Sequence, residues 1–378
     1  MLRFKLTKHR QTGHQISVKK RVLYTVIAWV WVMALALGVI FVGILLFLGH
    51  GKRNLYKKTT EKAPEIVMDQ TSAGETTAAP GEGDIPDRVW EDDWISYDGK
   101  VYEYNENILT FLILGIDKDG VVTPAKDKTD GGQSDGIFLI VANPDTGEAS
   151  IVGVNRDTMV DVYMLGVGEG GTDLVAPAEI AVQHGFGDGM EESCELTRDA
   201  VSKLFYGLPI HGYVSFNIGG VKKLNDALGG VDVTIPTDYT KYNSKWKEGE
   251  VIHLSGQEAV DYIRKRDMTE FESARDRLSR QKQYLSAFVQ KAIAGTREDI
   301  TLPLALYKSF APYIVTDITV DEISYLATQM VNYHFDSEAI YTLEGETRMG
   351  EQFEEFYPDK EALQRLMIEL FYKEVVLE

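Results

Sequence analysis

Residues Val22 to Leu48 read VLYTVIAWVWVMALALGVIFVGILLFL, 27 positions without a charge. As a helix rising ~1.5 Å per residue the run reaches about 40 Å, more than the ~30 Å hydrocarbon core of a bilayer. It is too long for a cleaved signal peptide, whose apolar stretch is ~7–15 residues. The Ala34-Leu35-Ala36 triplet lies mid-run with more apolar sequence after it, which argues against cleavage there. A buried core helix would carry polar relief along one face. The run is therefore expected to anchor the chain in a membrane.

Flanking cations set the orientation, because cytoplasmic flanks carry the excess of Lys and Arg. Arg3, Lys5, Lys8, Arg10, Lys19, Lys20 and Arg21 precede the run, against Lys52, Arg53, Lys57 and Lys58 after it. Trp29 and Trp31 suit an interfacial belt at the inner face. The expected layout is a cytoplasmic tail over 1–21, a transmembrane helix over 22–48, a flexible stalk over 49–95 and an extracellular domain over 96–378. The stalk expectation rests on TTEKAPEIVMDQTSAGETTAAPGEGDIPD (59–87), which has few large apolar side chains with which to bury a core.

The chain's net charge of -19 is unevenly spread. Residues 1–58 hold 11 of the 39 Lys and Arg and none of the 58 Asp and Glu, so the remainder carries a net -30. Such a surface repels nucleic acid and anionic lipid. Against it, residues 264–282 gather Arg264, Lys265, Arg266, Arg275, Arg277, Arg280 and Lys282. Cys194 is alone, which rules out an internal disulfide and points to a small buried thiol.

Strands and helices alternate beyond residue 100. ILTFLILGID (108–117) is a continuous apolar run suited to a strand buried on both faces, and SDGIFLIVAN (134–143) and EASIVGVNRD (148–157) form a hairpin about the turn PDTG. Helices are expected over 195–207, 216–230 with a stop at the Gly229-Gly230 pair, and 257–266. Another is expected over 273–295 with Ser273 as its N-cap, and the tail adds DEISYLATQMV and KEALQRLMIELFYKEVV, with SEAIYTLEG strand-like between them. This pattern argues one α/β domain of α-β-α sandwich type.

Two glycine motifs are discounted. Gly132-Gln133-Ser134-Asp135-Gly136 fits G-x-S-x-G, but a loop precedes it and a strand follows, the reverse of a nucleophile elbow. Gly166, Gly168 and Gly171 fit G-x-G-x-x-G without a helix opening there. His184, His211, His253 and His334 are too dispersed for a zinc site.

Asp117, Asp135 and Arg156 stand at strand ends, which converge on one rim if the strands are neighbours. Two carboxylates there can hold Mg²⁺ and leave positions for phosphate oxygens. The guanidinium forks of Arg264, Arg266, Arg275, Arg277 and Arg280 match phosphate bidentately. Arg264 and Arg266, two apart at a helix end, are expected to point one inward and one outward; Arg277, Arg280 and Gln281 share a helix face. The competing reading pairs these cations with Asp267, Glu270, Glu272 and Asp276.

The series LILGID, QSDGIFLIVANPDTGEASIVGVNRDTMVDV, HGYVSFNIGGVKKLNDALGGVDVTIP and HLSGQEAVDYIRKRD…RDRLSRQ resembles the LytR-CpsA-Psr (LCP) family over roughly 105–300. The resemblance implies a membrane-anchored phosphotransferase on the outer face of mainly Gram-positive bacteria. Such an enzyme moves a glycopolymer, a teichoic acid or polysaccharide, from a polyprenyl pyrophosphate carrier onto peptidoglycan by a phosphodiester, typically at the 6-hydroxyl of N-acetylmuramic acid. It further implies Mg²⁺ at the pyrophosphate and an apolar tunnel for the lipid. By motif, Asp117 and Asp135 match the family's acids, Arg156 its strand-end arginine, and Arg264, Arg266, Arg277 and Gln281 its later set, all preferred over Arg275. Either Asp135 or Asp157 would activate the sugar hydroxyl.

Two positions depart from the family pattern. Gln133 stands where an arginine is common, leaving a phosphate contact to be lost or supplied by Lys126 or Lys128. Ala274-Arg275-Asp276-Arg277 replaces Asp-x-Gly-Arg, which leaves Asp276 and Glu272 as alternative partner acids. The other functions to weigh are a catalytically weak binder or sensor of lipid-linked polymer, and a transcriptional attenuator. An inner tail of about 21 residues is short for a DNA-binding domain and suits lipid head groups.

Overall fold

The computed structural model describes residues 43–59, 63–66, 94–127, 130–267 and 269–376. The expected tail and all but the last residues of the apolar run lie outside them. Among the described residues no helix is long and apolar enough to cross a membrane. The chain divides into two compact units, Met1–His50, of which residues 43–50 are described and helical, and Gly51–Glu378.

The second unit is built on a six-stranded mixed sheet, in the order Ile314–Thr316, Gly212–Asn217, Leu109–Ile116, Ser134–Asn143, Glu148–Val154, His334–Thr342. The three strands read from the apolar runs lie side by side and antiparallel. Strand 109–116 pairs in parallel with 212–217 on its other side, and 148–154 does so with 334–342. Parallel neighbours need long crossovers. The first contains the hairpin Met159–Met164/Leu174–Glu179 and the helix Glu191–Leu204.

Alternation along the strands assigns the two faces. Leu112, Leu114, Ile116, Ile137, Leu139 and Val141 pack on Ala200 and Val201 of helix 191–204 and on Leu363, Met367 and Phe371 of helix Lys360–Phe371. Phe138 and Ile151 face the other way, onto Leu278 and Ile293 of helix Ser273–Glu298. On this second side Ile113, Ile140, Leu285 and Val289 are only partly buried. With helices on both faces the sheet is an α/β sandwich, which accounts for the near-continuous apolar run over 108–116.

A smaller core lies beside the sheet, with the fully buried Trp246 against Tyr262 and with Val231, Val233 and Leu254 packed around it. It fixes helix Gly256–Arg264, whose C-terminal end carries Arg264. Gly229 and Gly230 have φ of 78° and 74°, a left-handed pair that ends helix Val221–Ala227 as expected from the sequence.

Several boundaries differ from the sequence reading. Helix 273–298 takes Glu272, at φ 60°, as its N-cap, with Ser273 as first helical residue. Gly166–Gly171 lie at the tip of the 159–164/174–179 hairpin, where no α-helix opens. The hairpin Gly345–Met349/Glu354–Pro358 is an addition to the elements expected from the sequence. Part of the expected stalk is packed instead. Leu55 is fully buried with Leu109, Phe111 and Tyr325, Lys58 pairs with the buried Glu322 at 2.8 Å, and the Glu65 amide donates to the Tyr206 carbonyl at 2.7 Å. Leu55→Ala is therefore expected to lower the domain's stability by about 2–4 kcal/mol. A denaturant midpoint equal to that of the unmutated chain would return residues 51–58 to a stalk.

Candidate active site

The register of strands 109–116 and 134–143 builds the site. Gly115 stands opposite Gly136 and Ile116 opposite Ser134, so Asp135 is the extra residue of a β-bulge. Bulges of this kind re-aim a side chain at a sheet edge. Just before it, Gly132 adopts φ 84°, and a Cβ there would lie 2.6 Å from Ile116 Cγ2 and 3.1 Å from Asp117 Oδ1, so the approach requires glycine. Its neighbour Gly131 accepts from the buried His184 Nδ1 at 3.0 Å. Burial pushes His184 down to about 4, so it is neutral there and acts as a brace for the loop.

Arg156 and Asp157 come from a turn. The Thr158 amide and hydroxyl both donate to the Asn155 carbonyl, at 3.1 and 2.6 Å, while Asn155 Oδ1 accepts from the Asp157 amide at 3.0 Å. Asn-Arg-Asp-Thr is thus a self-bonded turn that holds out its two central side chains. Arg156 Nη1 donates to Asp135 Oδ1, Nη2 donates to Gln133 Oε1 at 2.6 Å, and Nε lies 3.2 Å from Asp157 Oδ1.

Helix 273–298 contributes from above the sheet. Arg277 is 5% exposed and straddles Asp135, with Nη1 to Oδ2 at 3.0 Å and Nη2 to Oδ1 at 3.3 Å. Burial pushes its guanidinium down to about 10 against the pull of Asp135, which leaves it protonated at neutral pH. One turn on, Gln281 Nε2 donates to the Ile263 carbonyl at 3.2 Å and reaches the Asp135 carbonyl at 3.5 Å. Gln281 therefore ties the bulge to the end of helix 256–264. Arg266 is half-buried, and no described residue forms a hydrogen bond or ion pair with it, yet its charge acts on both Arg277 and Asp157. Burial raises the Asp157 carboxyl above the usual range, against the opposing pull of Arg156, Arg266 and Arg277.

The rim thus brings together Asp117, Gln133, Asp135, Arg156, Asp157, Arg266, Arg277 and Gln281. Arg264 and Arg280, expected there, lie elsewhere, as does the less favoured Arg275. Arg264 points outward to Asp119 at 3.2 Å, so of the 264/266 pair only Arg266 faces the cluster. Arg275 is exposed and sits 3.5 Å from Glu272. Arg280, expected among the phosphate ligands, is fully buried and donates to the Tyr262 and Lys265 carbonyls. Its guanidinium carbon lies 4.7 Å from the ring centre of Tyr242 and 5.2 Å from that of Tyr239. Arg280 clamps the carbonyl end of helix 256–264, where the helix dipole favours a cation. The partner acid of Arg277 is Asp135, neither Asp276 nor Glu272.

Gln133 supplies no cation but orients Arg156. Lys126 is exposed at the loop's outer edge, and Lys128 lies outside the described residues. Glu354, from the unread hairpin, accepts from the Glu272 amide at 3.1 and 3.2 Å and adds negative charge beside Asp157. Short, exposed, charged strands gave no sequence signal for it.

Of the two acids expected to hold Mg²⁺, Asp135 has both oxygens taken by Arg156 and Arg277, so only Asp117 has one to offer. Asp117 Oδ1 accepts from the Gln133 amide at 2.7 Å, and no described residue takes its other oxygen. Among the described residues no group of three or more His, Cys, Asp or Glu is arranged for a metal, so the remaining ligands would be phosphate and water, as Mg²⁺ prefers.

A model of the LytR_cpsA_psr family matches residues 71–371. The chain is 28% identical over 218 residues to the polyisoprenyl-teichoic acid–peptidoglycan teichoic acid transferase TagU of Bacillus cereus, covering 57% of this chain and 62% of that one. It is 28% identical over 214 residues to the TagU of Halalkalibacterium halodurans, covering 56% and 62%. The matched stretch is thus less than two thirds of these relatives' length. The crystal structure of B. subtilis TagV has a similar fold, with a TM-score of 0.53 at 23% identity over 70% of this chain and 96% of that one.

Proposed function

The chain belongs to the LytR-CpsA-Psr family, and from that premise we propose that it transfers a glycopolymer from a polyprenyl pyrophosphate carrier to a peptidoglycan hydroxyl. Residues 22–48 anchor it, with the domain on the outer face. The observation that carries this reading is the strand-rim cluster of Arg156 and Arg277 on Asp135, with Arg266, unpaired among the described residues, beside them. Three guanidiniums at one rim match the charge of a pyrophosphate. The partly buried Ile113, Ile140, Leu285 and Val289 offer the isoprenoid chain an apolar bed under helix 273–298.

In this reaction the hydroxyl oxygen attacks the phosphorus next to the sugar, and the bond from that phosphorus to the lipid phosphate breaks. The lipid monophosphate leaves with the bonding pair, and the hydroxyl proton passes to Asp157. Arg156, Arg266 and Arg277 stabilise the charge gathering on the phosphoryl oxygens. Mg²⁺, held through the open oxygen of Asp117, would supply further charge neutralisation at the phosphates. Asp135 is committed to orienting two guanidiniums, which leaves Asp157 to act as base.

A base works only when deprotonated. Because burial raises the Asp157 carboxyl, transfer by the full-length protein should fall on acidification at a pH above the ordinary carboxylate range. Asp157→Asn should cut turnover about 10²–10⁴-fold and abolish that limb. An unchanged acid limb in the variant would remove Asp157 from the role. No transfer at any pH would count against the reaction itself.

A further inference from the structure

Hairpin 345–349/354–358 is fastened beside the site at two points. The Phe356 amide donates to the Asp157 carbonyl at 2.8 Å, and Glu354 accepts from the Glu272 amide at the start of helix 273–298. Around this junction three large apolar side chains face solvent: Phe271 is 56% exposed, Met349 65% and Phe353 65%. We infer that they form the acceptor subsite, a platform on which a peptidoglycan sugar lays the C–H face of its ring while its hydroxyl reaches Asp157. The inference rests on the phosphotransfer reading and adds where the second substrate sits.

Three observations support it. The first is continuity with the base. Met349 pairs with Glu354 across the hairpin, and directly paired residues of antiparallel strands share a face. Met349 therefore lies on the face that carries Glu354 and Phe356 toward the Asp157 turn. Phe271 and Phe353 each precede one of the two residues joined at the junction, Glu272 and Glu354. Single exposed apolar side chains are ordinary, whereas three gathered beside one carboxylate mark a binding surface.

The second is direction. Along helix 273–298 Arg277 stands over Asp135, and Leu285 and Val289 of the isoprenoid bed follow about 12–18 Å further on. Phe271 lies at the other end, just before the helix begins. Attacking and leaving oxygens stand roughly in line across the transferring phosphorus. With the lipid phosphate departing toward Leu285, the acceptor hydroxyl arrives from the side of Phe271 and Phe353. The third is charge, which separates a sugar from a bilayer as occupant. Between residues 344 and 355 the hairpin carries Glu344, Glu346, Glu351, Glu354 and Glu355 against Arg348, itself held by Glu346 at 2.7 Å. An acidic tip is repelled by an anionic lipid surface. Carboxylates beside aromatic faces instead accept from sugar hydroxyls while the rings cover the apolar side of a pyranose.

The test is direct binding to the full-length protein in detergent, with two probes: a peptidoglycan disaccharide for the platform and farnesyl pyrophosphate for the guanidinium cluster. The disaccharide should bind saturably, and Phe353→Ala and Phe271→Ala should each weaken it about tenfold. Farnesyl pyrophosphate affinity should stay unchanged in both. The two positions are exposed, so both variants should unfold at the temperature of the unmutated protein, and either one alone decides the matter. No saturable disaccharide binding, affinity unchanged in the variants, or competition between the two probes would overturn the assignment. Failure of the unmutated protein to bind farnesyl pyrophosphate would instead count against phosphotransfer, with the disaccharide affinities of the variants still deciding whether the platform holds a sugar.

Discussion

Replacing Arg156 with alanine should lower the rate of glycopolymer transfer by about 10³-fold or more while leaving a folded domain. The side chain is the hub of the rim, contacting Asp135, Gln133 and Asp157 at once. Its removal deletes one phosphate ligand and frees Asp135 to turn from Arg277. Arg156 retains 17% exposure and its turn is held by Asn155 and Thr158, so the fold should survive. Thermal unfolding within a few degrees of the unmutated protein, with transfer lost, is the expected pair of results. Full retained activity would remove the guanidinium cluster from the chemistry.

Arg280 should behave in the opposite way. Its guanidinium is buried and held by two backbone carbonyls and the faces of Tyr239 and Tyr242. Arg280→Met keeps much of the volume but leaves those carbonyls without their charged donor, at a cost of about 3–5 kcal/mol. Urea unfolding should record that loss. Transfer per folded molecule should fall only modestly, through loosening of the chain at Lys265, next to Arg266. A variant as stable as the parent but inactive would make Arg280 a direct phosphate ligand.

The contrast between these two arginines marks how far the sequence was legible. Helical spacing of about 100° per residue places Arg277 and Gln281 on one face and Arg280 beside it. Spacing does not say what lies opposite. The rim of the sheet faces Arg277, whereas Arg280 meets the tyrosines of the smaller core, which are distant in sequence. The central strands were legible because both sheet faces are covered, so their apolar character is continuous. Asp135 was found as a strand-end acid, but the bulge that aims it arises only from pairing with strand 109–116. Glu354 escaped because its hairpin is short and exposed, and Leu55 because its flanks are charged and its burial depends on Tyr325 and Phe111.

Gln133 changes meaning in the structure. As a departure from the family pattern it suggested a missing phosphate contact. Its side chain instead accepts from Arg156 Nη2 at 2.6 Å and so fixes that guanidinium.

The most direct measurement follows product and leaving group together. The full-length protein, with Mg²⁺, would be given a polyprenyl-pyrophosphate-linked glycan and peptidoglycan fragments, and the mixture resolved by mass spectrometry. Phosphotransfer predicts peptidoglycan carrying the glycan through one phosphodiester, with an equal amount of polyprenyl monophosphate. Tight binding of the lipid-linked glycan with neither product formed would contradict it and identify the chain as a binder of that polymer.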